Sequence, residues 1–149
     1  MFGGFFLDLD KTDVKILEVL DENARLSVRK IAARVGVSPV TVLNRIKRIE
    51  NAGIIKKYSA QLDYDKLDYE QQAIIELRVS NGKHFEVEKK IASNPNVCAV
   101  YDVTGEYDSM VIARFKNRKS LDSFIKNLQI VDFVEKTYTR MILNTIKED

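Results

Sequence analysis

The chain is poor in the residues that small-molecule chemistry usually needs. Of its 149 residues one is cysteine, Cys98, and one is histidine, His84. A single cysteine excludes an intramolecular disulfide, and no cysteine and histidine spacing suits a metal. The six glycines form no phosphate-binding loop, and no G-x-S-x-G elbow occurs. His84 lies in Asn81-Gly82-Lys83-His84, which reads as a surface turn at a helix start. No enzyme, cofactor or metal is expected. Long apolar runs are also missing: the opening Met-Phe-Gly-Gly-Phe-Phe is far too short to span a bilayer and reads as an arm that packs on a partner. With no signal peptide either, a cytoplasmic chain without a membrane partner is expected. No internal repeat or low-complexity tract is visible. A composition of 45% hydrophobic and 31% charged residues is that of one ordinary globular domain or two small ones.

Charge is present and unevenly placed. Val28 to Lys57 carries Arg29, Lys30, Arg34, Arg45, Lys47, Arg48, Lys56 and Lys57 against Glu50 alone, a local charge of +7 where the whole chain has +2. Up to Leu62 the balance is +4 and beyond it −2, so the two halves are expected to meet different partners, the basic one nucleic acid. Asp10 with Asp13 marks a capped helix over about Lys11 to Glu22, with Ile16, Leu17 and Leu20 as its apolar stripe. Ser27 caps a second helix bearing Val28, Ile31, Ala32 and Val35, which Gly36 ends. Ser38-Pro39 opens a third, with proline at the first helical position. This spacing is a helix-turn-helix.

On the third helix Val42, Ile46 and Ile49 fall on one side, and Val40, Leu43, Asn44 and Lys47 on the other. Outward apolar residues suit thymine methyls in a major groove, where Asn44 can read adenine and Lys47 guanine; packing in a dimer is the competing account. Ser38, Thr41, Arg48 and Arg29 suit phosphates. Arg45 borders the buried stripe, so an internal ion pair and a phosphate contact are both open. Gly53 ends the helix, and Ile54 to Leu62 reads as a strand, a wing or connector whose Lys56 and Lys57 face the DNA backbone.

From Gln71 the apolar period changes. Ala73, Ile75, Leu77 and Val79 alternate as a strand, and Phe85, Val87, Ile91 and Ala92 mark a helix ending before Asn94-Pro95. Strands follow over Val97 to Val103 and Ser109 to Phe115, then a helix with Leu121, Phe124, Ile125 and Leu128, then a strand from Val134 to Ile146. The order βαββαβ is the ferredoxin-like plan, an α+β fold. Cys98 and Val100 are expected to oppose Ala99 and Tyr101, as Met110 and Ile112 oppose Val111 and Ala113. A sheet apolar on both faces needs a second cover, so two subunits are expected to pack sheet on sheet. The turn Thr104-Gly105-Glu106-Tyr107-Asp108 reads either as a plain hairpin loop or as a small-molecule site. In the second case backbone N–H groups hold a carboxylate while Asp108 or Glu106 meets an ammonium, as in an amino acid.

Leu9-Asp10-Lys11-Thr12-Asp13 with Ile16-Leu17, Ser38-Pro39-Val40-Thr41-Val42 with Arg45-Ile46, Ile49-Glu50, Gly53-Ile54-Ile55 and Thr104 to Asp108, in that order, resemble the leucine-responsive and asparagine-responsive (Lrp/AsnC) transcriptional regulators over essentially the full length. The resemblance implies a winged helix-turn-helix DNA-binding domain over residues 1–54, a connecting strand and linker over 55–70, and an effector-binding and oligomerisation domain over 71–149. It implies double-stranded DNA as partner, a homodimer that assembles to an octamer or larger, and an amino-acid effector between dimers at Thr104, Gly105, Glu106, Tyr107 and Asp108. Asp122 and Lys126 join that site by resemblance, with Lys126 favouring an acidic or neutral effector side chain. Ile130-Val131-Asp132-Phe133-Val134 departs from the family's usual proline-glycine turn. Two other readings are compatible with this architecture: a protein that wraps DNA with little sequence preference, and an enzyme similar to the sirohaem decarboxylases, which His84 alone supports poorly.

Overall fold

In the computed structural model residues 8–80 and 82–148 are described. The chain forms two compact units, Met1–Ala60 and Gln61–Asp149. The expected N-terminal arm, Met1 to Phe6, lies outside the described residues.

The first unit holds three helices, α1 (Lys11–Glu22), α2 (Val28–Val35) and α3 (Pro39–Asn51). Each begins where its capping side chain dictates. Asp10 accepts from the N–H groups of Thr12 and Asp13 at 2.8 and 2.9 Å, and the Asp13 carboxylate accepts the Asp10 N–H at 3.0 Å, a reciprocal capping box. Ser27 caps α2, and Gly36, at φ +80°, ends it in the left-handed conformation that forces the sharp turn into α3. Ser38 caps α3, with Pro39 directly inside. Ile16, Leu20, Ile31, Ala32, Val42 and Ile46 interlock as the core of this unit. Full burial of one such aliphatic side chain is worth about 1.5–3 kcal/mol.

The strand expected from Ile54 to Leu62 is not formed. A strand needs a neighbour to satisfy its N–H and C=O groups, and no other strand lies in this unit among the described residues. Among the described residues the helix-turn-helix therefore carries no β-strand wing.

The second unit follows the ferredoxin-like plan: β1 (Gln71–Val79), α4 (His84–Ala92), β2 (Val97–Asp102), β3 (Ser109–Phe115), α5 (Arg118–Gln129) and β4 (Val134–Met141), preceded by a 3₁₀ turn at Asp65–Leu67. The sheet order is β2-β3-β1-β4, antiparallel throughout. Ala73, Ile75, Leu77, Val79, Val111, Ala113 and Phe115 line one face and are buried with Val87 and Ile91 of α4 and Leu121, Phe124 and Leu128 of α5. The last strand stops at Met141 instead of running to Ile146. Ile142 adds one more backbone bond, to Gln72, and β1 begins only one residue before that, so no strand remains for the following residues to pair with.

The opposite face carries Ile74, Met110 and Ile112, half-buried, with Tyr101 and Tyr138 about half exposed. Its expected membership needs one change. A register shift between Val97 and Ala99 places both Val97 and Val100 against the helix-side core, while Cys98 lies 3.2 Å from Arg114 Nη1. An extra residue in one strand breaks strict alternation, so Cys98 is not paired with Val100 on one face. At this end Arg114 also stacks on Tyr64, 4.2 Å from the ring centroid, and pairs with Glu148.

Candidate nucleic-acid interface and loop site

Helix α3 presents what its sequence pattern requires. Val42, Ile46 and Ile49 are buried, while Val40 is 67% and Leu43 42% exposed beside the exposed Asn44 and Lys47. The helix is held in place by its cap: the Ser38 hydroxyl accepts the Thr41 N–H at 3.1 Å and shares a hydrogen bond with the Thr41 hydroxyl at 2.8 Å. Two apolar and two polar side chains thus occupy one convex surface, a chemistry suited to base edges rather than to water.

The cations divide into two groups. Arg34 pairs with Glu22 at 2.7 Å. Arg45 Nη1 reaches Asp10 Oδ2 at 2.6 Å and Asp13 Oδ1 at 2.8 Å, and Arg48 Nη2 reaches Asp13 Oδ2 at 2.5 Å. Of the two alternatives for Arg45, the structure shows the ion pair within the chain. Its charge is reinforced by the hydrogen bonds it donates to Asp13 and Asp10, and the Asp10 carboxyl is in turn held below the ordinary carboxylate range by Arg45. Arg29, Lys30, Lys47, Lys56 and Lys57 are exposed and form no ion pair among the described residues. They are the charge available to a polyanion.

Two contacts were not foreseen from the sequence. One is the link from α1 to α3 through Asp13, a fully buried acid. Its signal was present: acids at positions 10 and 13 face arginines at 45 and 48, the same three-residue step on two helices. The other is Tyr58, whose hydroxyl donates to Glu50 at 2.8 Å and tethers the irregular segment after α3 to that helix. Burial, then the Glu50 hydrogen bond, push the Tyr58 phenol up to about 12.

The turn between β2 and β3 is tightly organised. Gly105 has φ +132°, a conformation side chains rarely adopt. Asp108 Oδ2 accepts the Val79 N–H at 2.8 Å and the Asp108 N–H donates to Leu77 at 2.9 Å, fastening the turn to the end of β1. Arg78 donates to the Glu106 carbonyl at 3.0 Å. Lys136 lies 3.3 Å from Glu106 and 5.4 Å from the Tyr107 ring centroid. The Tyr107 hydroxyl and Glu106 hold its ammonium above the ordinary lysine range. Thr104, Gly105, Glu106, Tyr107 and Asp108 thus come together with Arg78, Lys136 and Tyr138, and the sequence did not single out the last three. Asp122 and Lys126 do not join them by any hydrogen bond or ion pair among the described residues; they pair with each other at 2.7 Å along α5. No helix among the described residues is long and apolar enough to cross a membrane.

Comparison with known proteins matches both units. Residues 9–50 match the AsnC-type helix-turn-helix domain and residues 72–149 the Lrp/AsnC ligand binding domain. The chain is 45% identical over 143 residues to an HTH-type transcriptional regulator of Pyrococcus furiosus, covering 96% of this chain and 97% of that one. Among solved structures, a Neisseria meningitidis transcriptional regulator in complex with L-Met superposes with a TM-score of 0.83 at 31% identity, covering 94% of this chain and 93% of that one. AsnC of E. coli gives 0.84 at 26% identity, with coverage of 95% and 96%.

Proposed function

The chain belongs to the Lrp/AsnC family of DNA-binding transcriptional regulators, and from that premise we propose that it reads specific operators as a dimer under control of an amino acid. The observation that carries this reading is the outward face of α3, where Val40, Leu43, Asn44 and Lys47 stand exposed beside cations that form no ion pair among the described residues. Asn44 and Lys47 read bases, Val40 and Leu43 meet thymine methyls, and Arg29, Ser38, Thr41, Lys56 and Lys57 hold phosphates. Arg48 keeps part of its guanidinium exposed beside them. In this reading residues 1–54 bind DNA, 55–70 connect, and 71–149 bind effector and assemble.

The apolar face with Ile74, Met110, Ile112, Tyr101 and Tyr138 supports a sheet-on-sheet dimer, which presents two recognition helices to a pseudo-palindromic site. The effector reading rests on the turn at Gly105, where an ammonium meets Asp108 and a carboxylate meets backbone N–H groups or Lys136, with Asp122 and Lys126 at the side chain of the effector. The L-Met complex of the Neisseria relative supports that class of ligand. Assembly beyond the dimer places this site between dimers. The protein acts in the cytoplasm and catalyses no reaction.

Selection of bound sequences from a random duplex pool, followed by affinities for selected and scrambled duplexes at fixed salt, tests the reading. A ratio above about 10³ supports an operator-reading regulator, and a ratio near one replaces it with a DNA-wrapping protein. Thermal-shift screening against the twenty amino acids, with light scattering for mass, tests the effector, because a ligand bound to the folded state raises the melting point by mass action.

A further inference from the structure

The recognition helix carries more arginine than it offers to DNA. Arg45 and Arg48 lie one turn apart on α3, and both turn back to α1, where Asp10 and Asp13 receive them at 2.5–2.8 Å. Asp13 is fully buried and Arg45 is only 26% exposed at its side chain, whereas Arg48 remains 45% exposed. The four groups sum to no net charge. A guanidinium whose charge is already matched by a carboxylate releases no condensed counterion when a phosphate approaches, so it adds nothing to sequence-independent affinity.

We infer that Asp13, assisted by Asp10, is a specificity-determining positioning residue that withholds Arg45 and Arg48 from the phosphate-binding charge and fixes the pitch of α3 against α1. This rests on the operator-reading function proposed above and deepens it. Discrimination between operator and random DNA grows when the non-specific term is small, because base-edge contacts are then a larger share of the total. The planar guanidinium of Arg45 bridges two carboxylates through one nitrogen, and Arg48 binds the far oxygen of Asp13. The helix is thereby held at two points one turn apart, which fixes the direction in which Asn44 and Lys47 project.

The test compares Asp13→Asn and Asp10→Asn with the charge-matched control Asp21→Asn, an exposed acid of α1 outside the cluster. Affinity for a selected operator and for a scrambled duplex is measured by fluorescence anisotropy from 50 to 200 mM salt. Asparagine caps a helix as well as aspartate, so Asp10→Asn leaves the start of α1 intact. Either cluster variant is expected to leave one arginine unmatched. The slope of log affinity against log salt then steepens by about 0.9 per subunit on the scrambled duplex, an extra loss of about threefold across that salt range. The operator-to-scrambled ratio falls as non-specific binding strengthens, and Asp21→Asn changes neither quantity. A merely structural role for Asp13 predicts the opposite sign, weaker binding to both duplexes. Addition of Arg48→Gln to Asp13→Asn is expected to return the slope to the wild-type value.

Should Asp13→Asn fail to fold, Asp10→Asn decides alone. Wild-type slopes and ratios in Asp10→Asn and in folded Asp13→Asn overturn the inference while leaving the operator-reading function standing. A wild-type ratio near one removes that function itself, whatever the variants do.

Discussion

Phe133 is expected to be a site where glycine outperforms alanine, the reverse of the usual order. It sits just before β4 with φ +72°, in the left-handed region that a bulky L-residue enters at a cost of about 1–2 kcal/mol. The conformation is held from outside: the Phe133 carbonyl accepts the Ser80 N–H at 2.8 Å and its hydroxyl at 3.4 Å, tying the turn to the end of β1. Phe133→Ala keeps the left-handed strain and loses the ring. Since the ring is 42% exposed, a little over half of a full phenylalanine burial is at stake, about 1–2 kcal/mol. Phe133→Gly loses the same burial but releases the strain, against an unfolded-state entropy penalty of about 0.4–1 kcal/mol. Glycine should therefore exceed alanine by about 0.5–1 kcal/mol, whereas within regular helices or strands it falls short by a similar amount. Urea titrations of both variants, followed by far-ultraviolet circular dichroism at one fixed protein concentration, read this difference directly. Equal stability, or alanine the more stable, would refute the argument that the backbone here is strained.

Replacement of Asn44 or Lys47 by alanine should relax base preference by roughly 1–3 kcal/mol at one position per half-site, read from binding to single-substituted operators; an equal loss on every sequence would remove the base-reading role. Asp108→Ala should abolish any amino-acid effect on DNA binding and, because the Val79 N–H loses a charged acceptor, cost about 1.5–3 kcal/mol of stability. Asp108→Asn keeps an acceptor oxygen, so it should recover most of the stability without the effector response, and a retained response would discard the turn as the ammonium site. Tyr58 should ionise at about 12 in absorbance titration at 295 nm, and Tyr58→Phe should delete that step. Its raised value means that the contribution of the Tyr58 contact to stability is complete below an ordinary phenol value of about 10 and is lost as pH rises through about 12.

What could be read in the sequence tracks how local each determinant is. Helix starts were legible because a cap is decided within four residues: Asp10, Ser27 and Ser38 each bond an N–H two or three positions onward. Core faces were legible because burial repeats with the period of the element, as Val42, Ile46 and Ile49 show on α3 and Ala73, Ile75 and Leu77 on β1. Strand ends were not, because a strand exists only where a neighbour accepts it. Ile54 to Leu62 has the composition of a strand and, among the described residues, no strand in its unit to pair with, and the segment past Met141 runs beyond the start of β1. Face assignment failed at Cys98 for a related reason, since one extra residue in β2 inverts the alternation and only the register against β3 reveals it.

The site residues divide along the same line. Exposure of Asn44 and Lys47 follows from helix period alone, but the fate of Arg45 and Arg48 depends on acids more than thirty residues earlier. A count of local charge therefore overstates the field at the DNA surface: of eight cations from Val28 to Lys57, three are matched by Glu22, Asp10 and Asp13 from outside that window. The five that form no ion pair among the described residues set the salt dependence to be expected. With each of those five meeting one phosphate, the slope is about 4.5 for one subunit. A measured slope well above 9 for a dimer on one operator would mean that the α1 acids release their arginines on binding, and the separation between paired and available charge would then belong only to the free protein.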